Sequence, residues 1–310
     1  MEQQNRNDAL FRLLAAEGIG PGIANRLMTR FGSPEAAVEA DQSSIARICG
    51  LNEEAARLVA RAIDQSDPAW EEERLQAIGA RYVLWSQPEY PEQLCRIPDP
   101  PPVLRIQGQD LAGSGRSVAI VGTRSCTAYG LRQASRFASA LASAGVTVVS
   151  GGARGIDAEA HRATLRSGGR TIVVLGSGLG HPYPLEHRPL FREVIEAGGT
   201  VLSEFSVDRP PRPGQFPRRN RIVAGLSIGV LVVEAPRRSG AMITARLAVE
   251  SQGREAWAVP GSVDQRTSEG CHAAIGDGWA ALVHSPEDLL QRLDDAGWFR
   301  ADARVETAPR

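Results

Sequence analysis

Apolar positions change their period twice along the chain. Between Asp8 and Ala62 they recur at three- and four-residue spacing, as in Leu10, Leu13 and Leu14, which predicts short helices over residues 8–66. An acid-started helix over Glu71–Gly79 follows, and then two short strand-like runs, Tyr82–Trp85 and Val103–Ile106. The proline-rich stretch from Pro88 to Pro102 between those runs carries Tyr90, Leu94 and Ile97, which need burial. An ordered extended connection is therefore expected there, rather than a flexible linker. From Ser117 onward, short apolar runs rich in β-branched residues alternate with helix-length segments. Strands are predicted over 117–122, 146–150, 171–175, 200–203, 228–233 and 256–259, and helices over 128–144, 156–167, 187–197, 240–252 and 286–293. Near-continuous apolar strands separated by helices predict an α/β class: a doubly wound parallel sheet covered on both faces, with ligands at the carboxyl ends of its strands.

Composition narrows the function classes. At 310 residues the chain has room for one large α/β domain and a small one. No apolar run is long enough to span a bilayer, and the polar start Met-Glu-Gln-Gln-Asn has no signal-like region, so a cytoplasmic protein without a membrane partner is expected. Cys49, Cys95, Cys126 and Cys271 lie far apart, which reads as reduced thiols, and the five histidines show no zinc spacing, so no metal is expected. The net charge of −1 says little about partners. The absence of lysine says more: it excludes a Walker A loop, whose lysine sits on the phosphates, and makes every basic side chain other than His an Arg, whose planar fork pairs with phosphate.

The turns at the predicted strand ends carry the candidate chemistry. Val146–Ser150 runs into Gly151-Gly152-Ala-Arg154-Gly155 and a helix from Ile156, a strand, glycine turn and helix start that suits a phosphate. The first core strand leads into Gly122-Thr123-Arg124, which is not Gly-x-Gly-x-x-Gly. Ser150-Gly151-Gly152 stands where a dinucleotide enzyme places an acid for the ribose, and both features argue against a dehydrogenase. Asp157 and His161 are four apart on one helix face; they fit an acid/base pair, but with no nucleophile or metal partner in view the structural role, as braces of the turn, is favoured. Tyr183-Pro184 precedes His187 and Arg188, with Tyr183 able to stack on a base or simply to pack the loop.

Gln215–Leu226 is the richest stretch. Arg212, Arg218, Arg219 and Arg221 lie close together with Asn220 and no acid among them, interleaved with Phe216, Ile222, Val223 and Leu226. The segment must sit against the core and project some guanidinium groups, an aromatic-plus-Arg pattern that suits single-stranded nucleic acid. Ser239-Gly240 after the strand at 228–233 adds another glycine turn and a hydroxyl. So many phosphate-like stations suit a polyanion crossing the sheet edge better than one nucleotide. At the other end of the chain, Gly18-Ile-Gly20 before a helix resembles a helix-hairpin-helix, with a weaker copy at Ile48–Ala62; a small helical bundle for packing or protein contacts is the equal alternative.

Together these motifs resemble the DNA-processing protein A (DprA/Smf) family. The resemblance runs in order through Val121–Arg124 with Tyr129-Gly130, Ser150–Asp157 with Ala160-His161, Tyr183-Pro184, Leu202-Ser203-Glu204, Phe216–Ile222, Ser239–Thr244, Val259-Pro260-Gly261 and Gly270-Cys271-His272, between about Tyr82 and Leu290. It implies an extended Rossmann domain over 69–295 behind a helical, sterile-alpha- or helix-hairpin-helix-like domain over 1–68, with 296–310 as a tail too short for the family's C-terminal winged helix. The function implied is non-catalytic and cofactor-free: binding and protecting single-stranded DNA during natural transformation, and loading the RecA recombinase. Arg124 and Arg188 map to the family's basic pocket, and Glu204 to a structural position. The implied homodimer and RecA surface lies on the C-terminal part, around Ile275, Trp279 and Leu282. There the chain departs from the family pattern, with Ala274 in place of a large apolar residue and Trp279 inserted; Met242 also replaces a usual Leu. The rival class is a nucleotide hydrolase of the lysine-decarboxylase-like (LOG) Rossmann group, whose Pro-Gly-Gly-x-Gly-Thr signature with its Glu is not matched at Ser150–Asp157. A third reading is a protein adaptor without DNA contact.

Overall fold

The computed structural model describes residues 2–15, 21–111 and 115–299. Among these residues nine strands form one sheet: β1 (Ala80–Leu84), β2 (Val103–Gly108), β3 (Ser117–Val121), β4 (Thr147–Ser150), β5 (Thr171–Val174), β6 (Thr200–Ser203), β7 (Gly229–Val232), β8 (Glu255–Ala258) and β9 (Ala281–Leu282). Their spatial order is β1-β2-β6-β5-β4-β3-β7-β8-β9. The strands from β6 to β9 are parallel, while β1 and β2 add an antiparallel pair at the β6 edge, with Arg105 opposite Ser203.

Burial on both faces explains the unbroken apolar runs. Along β3, Val118 and Ile120 point to one face, against Phe137 and Leu141. Ala119 and Val121 point to the other, against Ile222, Val223 and Leu226. The helices that supply those partners alternate with the strands: α8 (Ala128–Ser143), α9 (Ile156–Arg166), α10 (Arg188–Glu196), α11 (Gln215–Gly225), α12 (Gly240–Arg246), α13 (Glu269–Gly276) and α14 (Pro286–Asp295) follow α1 (Glu2–Ala15), α2 (Pro21–Phe31), α3 (Pro34–Val38), α4 (Gln42–Cys49), α5 (Glu53–Gln65), α6 (Pro68–Ala77) and α7 (Glu92–Cys95). From β3 the chain steps outward through β4, β5 and β6, then returns to place β7 on the other side of β3. The connections after β3 and β7 leave in opposite directions, so the switch point of this sheet lies between their carboxyl ends.

Side-chain caps start the N-terminal helices. Asp41 accepts from the Ser44 amide at 2.9 Å and Asn52 from the Ala55 amide at 2.8 Å, each cap contributing about 1 kcal/mol. Between them Gly50, at φ 66°, closes α4 in the left-handed conformation that glycine adopts freely. The Gly18–Gly20 turn of the expected hairpin lies outside the described residues, as do 300–310 of the expected tail. The apolar core of α1–α5 continues into the sheet through Leu84 and Val103. A buried charge network fastens the same corner. Arg105 Nε donates to Glu71 at 2.9 Å, Glu71 also accepts from Ser206 Oγ and the Val207 amide, and Arg105 Nη1 donates to the Glu204 carbonyl. As the sequence predicts for 88–102, Tyr90, Leu94 and Ile97 are buried in the main core, and Tyr90 donates to the Pro101 carbonyl at 2.7 Å.

Candidate nucleic-acid interface

A cavity of about 620 Å³ opens at the switch point. The turn after β3 contributes Gly122, Thr123 and Arg124; the turn after β4, Gly151; the loop after β5, Tyr183; helix α11, Phe216, Arg219 and Asn220; and the turn after β7, Ser239 and Gly240. Ten residues expected from five separated stretches therefore meet on one wall. Arg154 lines a smaller adjoining recess with Arg124, Tyr183, Phe216 and Arg219. Pro236 and Thr244 also line the cavity without having been expected; Thr244 follows from Ser239-Gly240, being one helical turn further along α12.

One side of this wall is aromatic and cationic. The Tyr183 and Phe216 rings lie 5.7 Å apart, and the Arg124 guanidinium sits 5.7 Å from the Phe216 centroid. The Tyr183–Pro184 peptide is cis. The Arg154 guanidinium is paired with Glu186 from the loop after β5. That ion pair holds Arg154 above the usual Arg range, while the backbone amide of Glu186 and then Arg154 hold the Glu186 carboxyl below its own.

The glycine turn differs from its expected role. Its anion is internal: the buried Asp157 carboxylate accepts from the Ala153 amide at 3.3 Å and is favoured by the Gly151 and Gly122 amides as well. Burial still pushes Asp157 up, against the pull of Arg219. The amides assigned to phosphate thus already have a carboxylate, because Asp157 lies in the first turn of α9, where the helix dipole holds it. Gly155, at φ 77°, lets the chain reverse into α9; a Cβ there would run into the Thr123 and Arg124 carbonyls. His161 sits deeper still. Its Nδ1 lies 2.7 Å from Thr171 Oγ1, whose own proton goes to the Val148 carbonyl, so Nδ1 carries the proton. Nε2 is buried with no partner among the described residues, and burial holds the ring down to about 3.

Four residues expected to contact DNA face inward. Ser150 is fully buried and its hydroxyl donates to the Ile120 carbonyl at 2.6 Å. Gly152 is packed against Val173 and Phe191. His187 is buried, with Nδ1 2.9 Å from the Gly152 carbonyl, so it props the glycine turn from behind. Arg221 lies against the core: Nη1 and Nη2 each donate to Glu204 at 2.8 Å and Nε to Asp99 at 3.0 Å. Arg218 is exposed, yet its Nε is also held by Glu204, at 3.1 Å, over the Phe205 ring. Arg219 is buried on the cavity wall, where Nη1 donates to the carbonyls of Gly151, at 2.6 Å, and Val174. Burial lowers it to about 10 despite Asp157. Within the arginine-rich helix, then, two guanidinium groups serve Glu204 and the third braces the cavity floor. Arg188 is exposed at the start of α10, off the cavity wall. Ile275 and Trp279 are half-buried against the core, with Arg246 stacked 5.0 Å from the Trp279 centroid, and Leu282 is 40% exposed on the edge strand β9.

Among the described residues no group of His, Cys, Asp or Glu is placed to hold a metal ion, and no helix is long and apolar enough to cross a membrane. Fold and cavity together define a doubly wound α/β protein with an arginine-lined site at its switch point. The chain belongs to the DNA recombination-mediator protein A family, whose model matches residues 81–294. It is 40% identical over 281 residues to protein Smf of Synechocystis, spanning 89% of this chain and 70% of that protein. It is 48% identical over 204 residues to protein Smf of Escherichia coli, spanning 66% of this chain and 54% of that one. The solved structure of DprA from Streptococcus pneumoniae matches with a TM-score of 0.74 at 32% identity, over 94% of this chain and 96% of that one. A structure of Helicobacter pylori DprA, described in terms of its single-stranded DNA binding mode, matches with a TM-score of 0.63 at 29% identity, over 70% of this chain and 97% of that one.

Proposed function

We propose that the chain is a single-stranded DNA-binding recombination mediator whose strand crosses the mouth of the switch-point cavity. The observation that carries this reading is the wall formed by Arg124, Phe216 and Tyr183: a cation and two rings side by side at a strand end, suited to alternate phosphates and bases. The single-strand binding described for the Helicobacter relative supports it. No catalytic step is assigned, because Asp157 is held by the amides of the glycine turn and His161 is bonded to Thr171 on β5. In this reading 69–295 carries the DNA, and 1–68 is an accessory domain seated on β1 and β2. A homodimer using the surface around Ile275, Trp279 and Leu282 hands the strand to RecA in the cytoplasm.

The test is fluorescence anisotropy of a labelled oligothymidine across a salt series. The wild-type chain should bind with log Kd linear in log salt, the slope rising by about 0.7 for each phosphate neutralised. Arg124→Ala should lower both affinity and slope, and Phe216→Ala should lower affinity with the slope unchanged. Wild-type binding that Arg124→Ala leaves untouched would remove the site from this cavity. Hand-over is tested separately, by whether the chain speeds RecA assembly on strands already coated with a single-strand-binding protein.

A further inference from the structure

The structure divides the arginines at the carboxyl edge of the sheet into committed and uncommitted groups. Arg218 and Arg221 are tied to Glu204, Arg219 to backbone carbonyls, and Arg154 to Glu186. Arg237 and Arg238 differ. Both are exposed in the turn between β7 and α12, and among the described residues neither has an ion pair. The same turn supplies Pro236, Ser239 and Gly240 to the cavity wall. It is also held in place: Ser239 caps α12 at the Met242 amide, and Asn220 Nδ2 donates to the Gly240 carbonyl at 3.2 Å.

We infer that Arg237 and Arg238 form a further DNA-contact station, where the strand leaves the cavity on its β7 side. This rests on the reading of the cavity as a single-strand site. Across the sheet the strand ends run β5, β4, β3, β7, and at about 4.8 Å per strand spacing the ends of β5 and β7 are about 14 Å apart. No single phosphate covers that span, so a strand entering past Tyr183 and crossing Arg124 meets the β7 turn next. Charge defines the end of the track. Arg237 borders a hollow of about 370 Å³ that also holds Glu269, His272 and Asp277, and its two carboxylates turn a polyanion away. Arg238 stands outside that hollow and is the stronger contact of the two.

The experiment is the same anisotropy salt series on Arg238→Ala, Arg237→Ala, the double variant, and Arg218→Ala for comparison. All three residues are on the surface, and near-identical thermal unfolding checks that each variant is folded. Arg238→Ala should lower the slope of log Kd against log salt by about 0.7, the double variant by more, and Arg218→Ala by little, since its guanidinium is already neutralised by Glu204. If the wild-type chain binds and Arg124→Ala weakens it, yet the double variant keeps the wild-type slope, the exit path is wrong while the cavity reading stands. If the wild-type chain fails to bind the oligonucleotide, both are overturned.

Discussion

Glu204→Gln should cost the fold more than any exposed arginine does. The Glu204 carboxylate is 2% exposed and takes two bonds of 2.8 Å from the Arg221 guanidinium, whose side chain is 11% exposed. Burial pulls Arg221 down, but Glu204 and Asp99 outweigh it and leave its pKa above the ordinary value. The amide keeps the shape of the carboxyl, removes the charge and turns a donor toward donors. Removing one partner of a buried pair costs about 3–5 kcal/mol, because the other charge stays buried. Asp99 still reaches Arg221, but its side chain is 60% exposed and screened, which offsets about 1 kcal/mol at most. The expected loss is therefore about 3 kcal/mol, or about 6–12 °C in Tm for a chain of this size. Urea unfolding followed by tryptophan fluorescence measures it. Arg218→Ala, which strips an exposed partner from the same carboxylate, should lose less than about 1 kcal/mol. Glu204→Gln with Arg221→Met should recover at least half the loss, since the stranded cation is gone. A loss below about 1 kcal/mol for Glu204→Gln, or equal losses in it and Arg218→Ala, would refute the view that this pair organises α11.

Three further outcomes follow from the site. His161 is neutral in the folded chain down to about pH 3 but takes a proton near 6.5 when unfolded, so stability should fall by about 1.4 kcal/mol per pH unit below 6.5, and urea titrations should show a flatter profile for His161→Asn. Glu186→Gln releases Arg154, and oligothymidine affinity should rise with a salt slope steeper by about 0.7; an unchanged slope would mean that Arg154 meets no phosphate. Gly155→Ala combines a positive φ with a clash against two carbonyls, and should cost more than about 2 kcal/mol in urea unfolding as well as weaken binding.

The parallel strands are legible in the sequence because each is buried on both faces, so runs such as Ser117–Val121 and Gly229–Val232 announce themselves without any neighbour. Strand β9 does not: two residues, Ala281 and Leu282, are strand only through pairing with Trp257 and Ala258. Helix α11 hides behind Pro217, a residue tolerated in its first turn. The composition of the site is legible too, since the glycine turns and arginines do gather at the strand ends. What the sequence withholds is the direction of each charge. Nothing local to Arg221 points to Asp99, 122 positions away. Nothing local to Gly151 says that its amide faces Asp157 rather than a ligand. Both are decided by which elements the fold brings face to face.

The antiparallel pair at the β6 edge has a consequence for synthesis. Strand β2 leaves the ribosome long before its second neighbour: Arg105 waits about 100 residues for Ser203. At 5–20 residues per second, that edge stays open for about 5–20 s, with Leu104 and Ile106 already made. Two partners shorten the hazard. Strand β1 has already emerged to pair with one side, and Glu71 has emerged to neutralise Arg105. The open side is a template for any other nascent strand. The newborn chain is thus most prone to self-association between the birth of β2 and that of β6, and the bond from Arg105 to the Glu204 carbonyl closes that interval.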